Sequence, residues 1–332
     1  MIEDRKLTQG DFQALISPYQ HELLVHCYRM LGSVEDAEDA LQETFLRAWR
    51  RFETLRAQEA LRPWLYRIAT NVSLDMIDQR KTRMLSMPTS AYPPADPDQP
   101  LPAPLSEAVW LEPLSEDYLD WDNINPEARY EARENISLAF LTVLQELPGR
   151  QRAVLLLRDV LGWKSQEVAD LLETSLPSVN SALQRARLAM VRSQAARALY
   201  RPANPNDPLT TSLLARYVQA WETADTDGLM ALLRDDAILS MPPYPAWFSG
   251  KAAIRKFIGG YLFAGPDPLR LRLVTTRANG SPAFAVYQQA GGQFRPSALQ
   301  VLTLHEGQIA RMDDFLVSDE RLFSRFHLPL RL

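Results

Sequence analysis

Residues 84–128 hold nine carboxylates and not one lysine or arginine. From Met87 to Pro100 the same stretch is dense in proline and has no helical period. Proline at that density favours extended backbone, and a segment without cations has no internal ion pairs to fold around. The 332-residue chain is therefore divided into parts that must fold on either side of it. Whole-chain net charge is −5, so one segment carries more than the entire negative balance and the remainder is net basic. Overall acidity thus does not argue against a nucleic-acid partner. A second boundary falls at Arg201-Pro202-Ala203-Asn204-Pro205-Asn206-Asp207-Pro208, a run of turn residues. The longest charge-free run, Ala278 to Phe294, is interrupted by Gly280, Pro282, Gly291 and Gly292 and cannot span a bilayer, so no membrane partner is expected. The polar stretch Met1 to Asp11 lacks the apolar core of a secretory signal, and a cytoplasmic location is the expectation. Cys27 is the only cysteine, which excludes an intrachain disulfide and a multi-thiolate zinc site. Its apolar neighbours make it a small core residue, and no metal or other cofactor is expected.

The parts differ in pattern. Before the linker, Phe12, Leu15, Ile16, Tyr19, Leu23 and Cys27 recur near 3.6 residues, predicting helix from Asp11 to Leu31. Ser33 is placed to cap a second helix that runs to about Phe52, with Glu35, Asp36 and Glu38 in its first turns. A third helix is expected from Trp64 to about Arg80, following Arg62-Pro63. After the linker, helices are expected at 127–145, 149–161, 165–172 and 176–199. The last part begins with helix over 209–233 and 252–262. It then turns to strand-like runs at 271–277, 283–289, 298–305 and 308–315, separated by Gly and Pro, an α+β pattern.

Between Ser165 and Arg187, two short amphipathic helices meet at a polar turn. Val168, Ala169 and Leu172 on the first would face Val179 and Leu183 on the second, which resembles a helix-turn-helix. The outward residues of its second helix are Pro177, Ser178, Asn180, Ser181, Gln184, Arg185 and Arg187. Asn and Gln pair bidentately with adenine, and Arg pairs with guanine or phosphate. Glu173 stands where such turns often carry glycine. A plain helical hairpin with a solvated polar face is the alternative at this level.

The flanking run Leu147-Pro148-Gly149-Arg150-Gln151-Arg152-Ala153-Val154-Leu155-Leu156-Leu157-Arg158, together with Leu183-Gln184-Arg185-Ala186-Arg187, resembles region 4 of bacterial sigma factors, which reads the −35 promoter element. Gly32-Ser33-Val34-Glu35-Asp36-Ala37-Glu38-Asp39-Ala40-Leu41-Gln42-Glu43 and Pro63-Trp64-Leu65-Tyr66-Arg67-Ile68-Ala69-Thr70-Asn71 resemble region 2. The order, with no region 3 between, is similar to the extracytoplasmic-function (ECF) type of the sigma-70 family. The resemblance implies that Asp39, Gln42 and Glu43, on one helical face, dock on the β′ subunit of RNA polymerase. It implies that Asn71, Asp75, Arg80, Lys81 and Arg83 act at the −10 element and that the second helix of the helix-turn-helix acts at −35. Trp64 and Tyr66 are either base contacts or core. The linker is a solvated tether, a mimic of nucleic acid in the polymerase cleft, or a strap docked on the C-terminal domain. Trp110, Leu111, Leu114, Tyr118 and Trp121 are too apolar for a pure spacer.

Leu213 to Leu229, Leu232 to Ala237 and Gly250 to Ile254 resemble the SnoaL-like group of the NTF2-like fold, a curved sheet wrapped by helices around a conical pocket. Tyr244, Trp247, His305, Asp313 and Asp314 are the pocket candidates, but no nucleophile–base set or metal set accompanies them. The expected organisation has two all-α sigma domains, region 2 at 1–83 and region 4 at 129–201. The linker occupies 84–128, and a C-terminal α+β SnoaL-like/NTF2-like domain occupies 209–332. The expected function is that of an alternative, non-enzymatic sigma factor. It binds the β and β′ subunits of core polymerase and promoter DNA, with activity modulated by intramolecular contact of its C-terminal domain. A small ligand or a separate anti-sigma protein would be a further partner. The alternative is a small-molecule sensor or enzyme of the SnoaL-like type that carries a DNA-binding module.

Overall fold

In the computed structural model, which describes residues 8–52, 61–80, 89, 92–105, 110–119, 133–192, 207–264, 269–317 and 320–332, the helical periods of the sequence become two sets of helices. Thr8 opens α1 (Gln9–Ile16) through a capping box with Asp11. Ser17-Pro18 interrupts the single helix expected here, and α2 (Gln20–Leu31) follows a 3₁₀ turn. Gly32 ends α2 at φ 74°, and Ser33 caps α3 (Val34–Arg51) by accepting from the Asp36 N–H. Helix α4 (Leu61–Gln79) carries Pro63 in its first turn, where the missing N–H costs nothing. After the linker come α5 (Leu138–Glu146), α6 (Gly149–Leu155), α7 (Ser165–Leu171) and α8 (Leu176–Arg192). Helix α6 runs into a π-turn, Leu156–Val160.

Two compact units result. The first joins Met1–Lys81 with Tyr118–Asp120 and Leu144–Val191, so the helices resembling region 2 and most of those resembling region 4 share one body. Its centre is Leu23, Cys27, Tyr28, Leu65, Tyr66 and Ala69. Cys27 is buried, and burial pushes its thiol up to about 12. His26 donates or accepts at Thr70 Oγ1, 2.9 Å away, and burial pulls it down to about 3, with Arg29 adding to the shift.

The second unit joins Thr82–Asp117, Trp121–Val143 and Arg192–Leu332. Its helices α9 (Pro208–Glu222), α10 (Thr226–Leu232) and α11 (Lys251–Arg255, continued by a π-turn Lys256–Phe263) lie with a six-stranded sheet. The strands are β1 (Leu233–Ser240), β2 (Trp247–Ser249), β3 (Leu271–Ala278), β4 (Ser281–Ala290), β5 (Gln293–His305) and β6 (Gln308–Leu316), in the order β2-β1-β6-β5-β4-β3. Only β1 and β6 run parallel. Two-residue turns join the last four strands, and each has both residues at positive φ: Asn279-Gly280, Gly291-Gly292 and Glu306-Gly307. One sheet face buries Phe284, Leu302 and Met312 with Tyr217, Trp221 and Phe257 from the helices. On the other, Tyr287 and Ala285 meet Phe323 of α12 (Arg321–Arg325).

The linker does not leave this unit as a free tether. Ala95 and Leu101 pack on the main core, and Trp110, Leu111 and Leu114 are buried. Backbone bonds join Ala95 N to Trp247 O (2.7 Å) and Leu105 N to Pro243 O (3.1 Å). Asn279 is wholly buried and holds Leu114 twice, its Oδ1 accepting from Leu114 N (2.8 Å) and its N–H donating to Leu114 O (3.0 Å). Its Nδ2 donates to Ile136 O at 2.9 Å. The linker's acids meet cations of the same unit: Asp98 with Lys256, Glu112 with Arg325, and Glu116 with Arg277.

Candidate nucleic-acid and polymerase interface

Helix α8 buries Val179, Ala182, Leu183 and Ala186. The 3.6-residue period then leaves Pro177, Ser178, Asn180, Ser181, Gln184, Arg185 and Arg187 exposed, as the outward face requires. Val168 and Ala169 of α7 are the buried partners, with Ala169 at 1% exposure where a larger side chain would separate the helices. Ser175 starts α8, its hydroxyl accepting from Ser178 N. Arg187 is not free on this face. It donates to both oxygens of Asp159 in the π-turn, at 2.8 and 2.6 Å, and the pairing raises its guanidinium above the ordinary range.

The other candidate surface is α4. Asn71 and Asp75 are exposed on it, but Asp75 accepts from Arg47 at 2.9 Å, and Arg47 also holds Glu43 at 2.7 Å. Arg80 turns back to Leu31 O and the Asp36 carboxylate. Asn71 is thus the residue of this set presented without such a clip, while Lys81 and Arg83 lie outside the described residues. Tyr66 is 1% exposed and belongs to the core, its hydroxyl donating to Glu22. Trp64 stands at 6.4 Å from Phe52, ring to ring.

On α3, Asp39 and Gln42 are exposed and Glu43 is half-buried. Leu46 and Trp49 extend the same stripe and are 52% and 41% exposed. The sequence reading missed these two. Their signal is an apolar pair at +7 and +10 from Asp39, off the buried face of Ala37, Ala40, Thr44 and Ala48.

The pocket candidates of the C-terminal domain do not converge. Ser240 pairs in register with Trp247 on one side and Asp313 on the other, and its hydroxyl donates to Asp313 at 2.6 Å. Arg311 clamps both Asp313 oxygens, and the Trp247 indole donates to Tyr92 O of the linker. Tyr244 packs at the edge of the main core. His305 stands apart at the β5–β6 turn, opposite Gln308. The buried polar cluster forms on the opposite face: Tyr217 donates to Gln300 (2.9 Å), and Gln300 donates to Asp314 (3.1 Å). Burial raises Asp314 to about 7 against the opposing Gln300 bond, and raises Tyr217 well above its ordinary value. Among the described residues no group of three His, Cys, Asp or Glu is placed to hold a metal, and no helix is long and apolar enough to cross a membrane.

A helix-turn-helix body followed by a helix-wrapped sheet is the architecture expected of a sigma factor carrying a C-terminal SnoaL-like, NTF2-like α+β domain. Three family models match accordingly: Sigma-70 region 2 over residues 15–83, Sigma-70, region 4 over 137–190, and the SnoaL-like domain over 214–312. The chain belongs to the ECF RNA polymerase sigma factors. It is 46% identical, over 97% of its length and 85% of the relative's, to ECF RNA polymerase sigma factor SigG of Mycobacterium tuberculosis. It is 29% identical to SigJ of the same species over 68% of this chain and 62% of that one. With the shorter SigW of Bacillus subtilis it shares 28% identity over 56% of this chain and 90% of the relative. The crystal structure of M. tuberculosis SigJ has the same fold, with a TM-score of 0.57 at 22% identity, covering 97% of this chain and 100% of that one. The protein is an alternative sigma factor, and its partners are core RNA polymerase and promoter DNA.

Proposed function

We propose that the C-terminal domain of this sigma factor regulates initiation, without catalysing a reaction, by retaining the linker between regions 2 and 4. The observation that carries this is the strap of residues 92–105 and 110–117, tied to the sheet domain through Trp247, Asn279 and three acid–base pairs. The −10 and −35 elements lie about 25 base steps apart, or ~85 Å at about 3.4 Å per step. A released linker of 45 residues reaches that easily, at roughly 3.3 Å per extended residue. With its middle bound to the sheet, only its ends remain to let the two reading helices separate. Asp39, Gln42 and Glu43, extended by Leu46 and Trp49, form the surface for the β′ subunit, and the β subunit receives region 4. Asn71, with Lys81 and Arg83, serves the −10 element. Ser178, Asn180, Ser181, Gln184 and Arg185 serve −35. The protein acts in the cytoplasm, where polymerase and promoters are.

Promoter-directed transcription with core polymerase tests this. Asp39→Ala with Gln42→Ala should abolish transcripts. Exchanging the charges of one strap pair (Glu116→Arg alone, then with Arg277→Glu) should change output in the single variant and restore it in the double. Identical output from all three strap forms would remove the regulatory reading.

A further inference from the structure

Glu173 occupies the turn of the helix-turn-helix at φ 49°. It follows the last residues of α7, and the Thr174 N–H closes the helix on Ala169 O at 2.9 Å. That arrangement puts residue 173 at the left-handed position after a helix, where glycine pays no Cβ penalty. A glutamate there is the strained choice. Its carboxylate is not idle: it accepts from the Arg67 guanidinium on α4, on the far side of the linker in sequence. Arg67 lies one helical turn, about 6 Å along the axis, from Asn71.

Further contacts join the same two halves of the helical unit. The rings of Tyr66 and Trp163 meet edge to face at 5.5 Å. Arg152 of α6 donates to Met30 O at the end of α2. A Cβ at Gly149 would stand 3.1 Å from Leu74 and 3.5 Å from Ile77, so α6 rests directly on α4. In this arrangement the turn that begins the −35 helix sits against the −10 helix, and the two surfaces cannot address sites ~85 Å apart on DNA. The body must open for both to be read. Tyr66, Trp163, Arg152 and Gly149 are buried or hold the folded helices themselves. The Arg67–Glu173 pair, with side chains 43% and 73% exposed, is a contact between the two halves that is core to neither.

We propose that Glu173 is a latch: it accepts strain at a glycine-type turn in order to hold the helix-turn-helix shut on Arg67, and its release gates promoter binding. This rests on the sigma-factor reading and adds a site of control within the sigma body itself.

The test uses the full chain labelled for energy transfer at Asp78→Cys and Gln166→Cys, both exposed positions. Buried Cys27 does not compete for the dye. Wild type should show high transfer that falls as salt rises, because an exposed ion pair is screened. Glu173→Gln and Arg67→Glu should shift the open-to-closed ratio by about two- to fivefold, the range of an exposed pair, and lose the salt response. They should also raise binding of the free protein to a −35 duplex. Arg67→Glu combined with Glu173→Arg should restore closure. Glu173→Gly separates strain from charge, since it should open the body as Glu173→Gln does while raising the melting temperature. Unchanged transfer in Glu173→Gln and Arg67→Glu, with melting curves intact, would overturn the latch, as would failure of the exchanged pair to restore closure. Parallel transcription with core polymerase keeps the two readings apart. Loss of transcripts from wild type counts against the sigma reading, whereas the transfer data bear on the latch alone.

Discussion

Arg152 shows what a single side chain does in this molecule. It is 5% exposed, and its guanidinium donates to Leu144 O, Met30 O, Gln145 Oε1, Gln145 O and Leu147 O. Met30 O and Gln145 O lie in the last turns of α2 and α5, where helix carbonyls lack the next turn's N–H. Every acceptor is neutral, and burial pulls the group down to about 9, with Arg80 contributing. Arg152→Ala should lower stability by about 3 kcal/mol in a denaturant melt, because several buried acceptors lose their donor at once. Arg152→Lys should recover less than half, since one ammonium cannot reach all of them. Two other buried groups set opposite pH slopes. Asp314 titrates near 7 in the fold against an ordinary 3.8, so the native state holds a proton that the unfolded chain has lost. Stability of the sheet unit should therefore fall as pH rises from about 4 to 7, and Asp314→Asn should flatten the curve. His26 titrates near 3 against 6.5, so the unfolded chain takes up the proton first. The helical unit should lose stability as pH falls from 6.5 towards 3. Hydrogen exchange read separately on α2 and β6 checks both signs.

At the scale of elements, local chemistry predicted most of the chain. The cap Ser33 and the glycine after α2 mark helix ends where the structure has them, whereas the Thr8 cap starts α1 two residues before the Asp11 expected. The four strands at the end of the chain were legible as short apolar runs separated by Gly and Pro, although β5 begins at Gln293, five residues before the run that marked it. Strand β1 was not: the expected helix ended at Leu233, and Arg234-Asp235-Asp236 follows α10 with no turn residue to announce a strand. Pairing with β6 makes it a strand. The π-turn after α6 was equally hidden, and it carries Asp159, which holds Arg187. Asp159→Asn should cost at most about 1 kcal/mol, the worth of an exposed pair, and should free a guanidinium for phosphate. Binding to a −35 duplex, measured against salt, should then tighten and its log–log slope should steepen by about one.

For the whole molecule, the linker is the segment whose composition said least about its destination. Nine acids without a cation left a tether, a nucleic-acid mimic and a strap all open. Apolar Trp110, Leu111 and Leu114 favoured docking, and the Asn279 turn supplies the dock. Asn279→Ala removes two side-chain bonds to buried backbone and should cost about 2 kcal/mol locally. Residues 110–117 should then become cleavable by a protease that spares them in wild type. Glu116→Gln should produce a smaller effect in the same digestion, because Arg277 is left with its other acceptor, Gly280 O.

The sequence by itself determined most of the helices, the last hairpins, the outward face of α8 and the family, since each rests on short-range periodicity, turn residues or motif order, although Ser17-Pro18 splits the first expected helix and α5 begins at Leu138 rather than at 127. Tertiary structure alone decided where polar side chains spend their bonds. Asp75, Arg80 and Arg187 carry the right chemistry for DNA, yet each is drawn to a residue that folding brings alongside. Asp313 and Asp314, neighbours in sequence, part to opposite faces of one strand, and only the second joins the buried cluster with Tyr217 and Gln300. Pairing at a distance depends on which elements meet, and no local pattern encodes that.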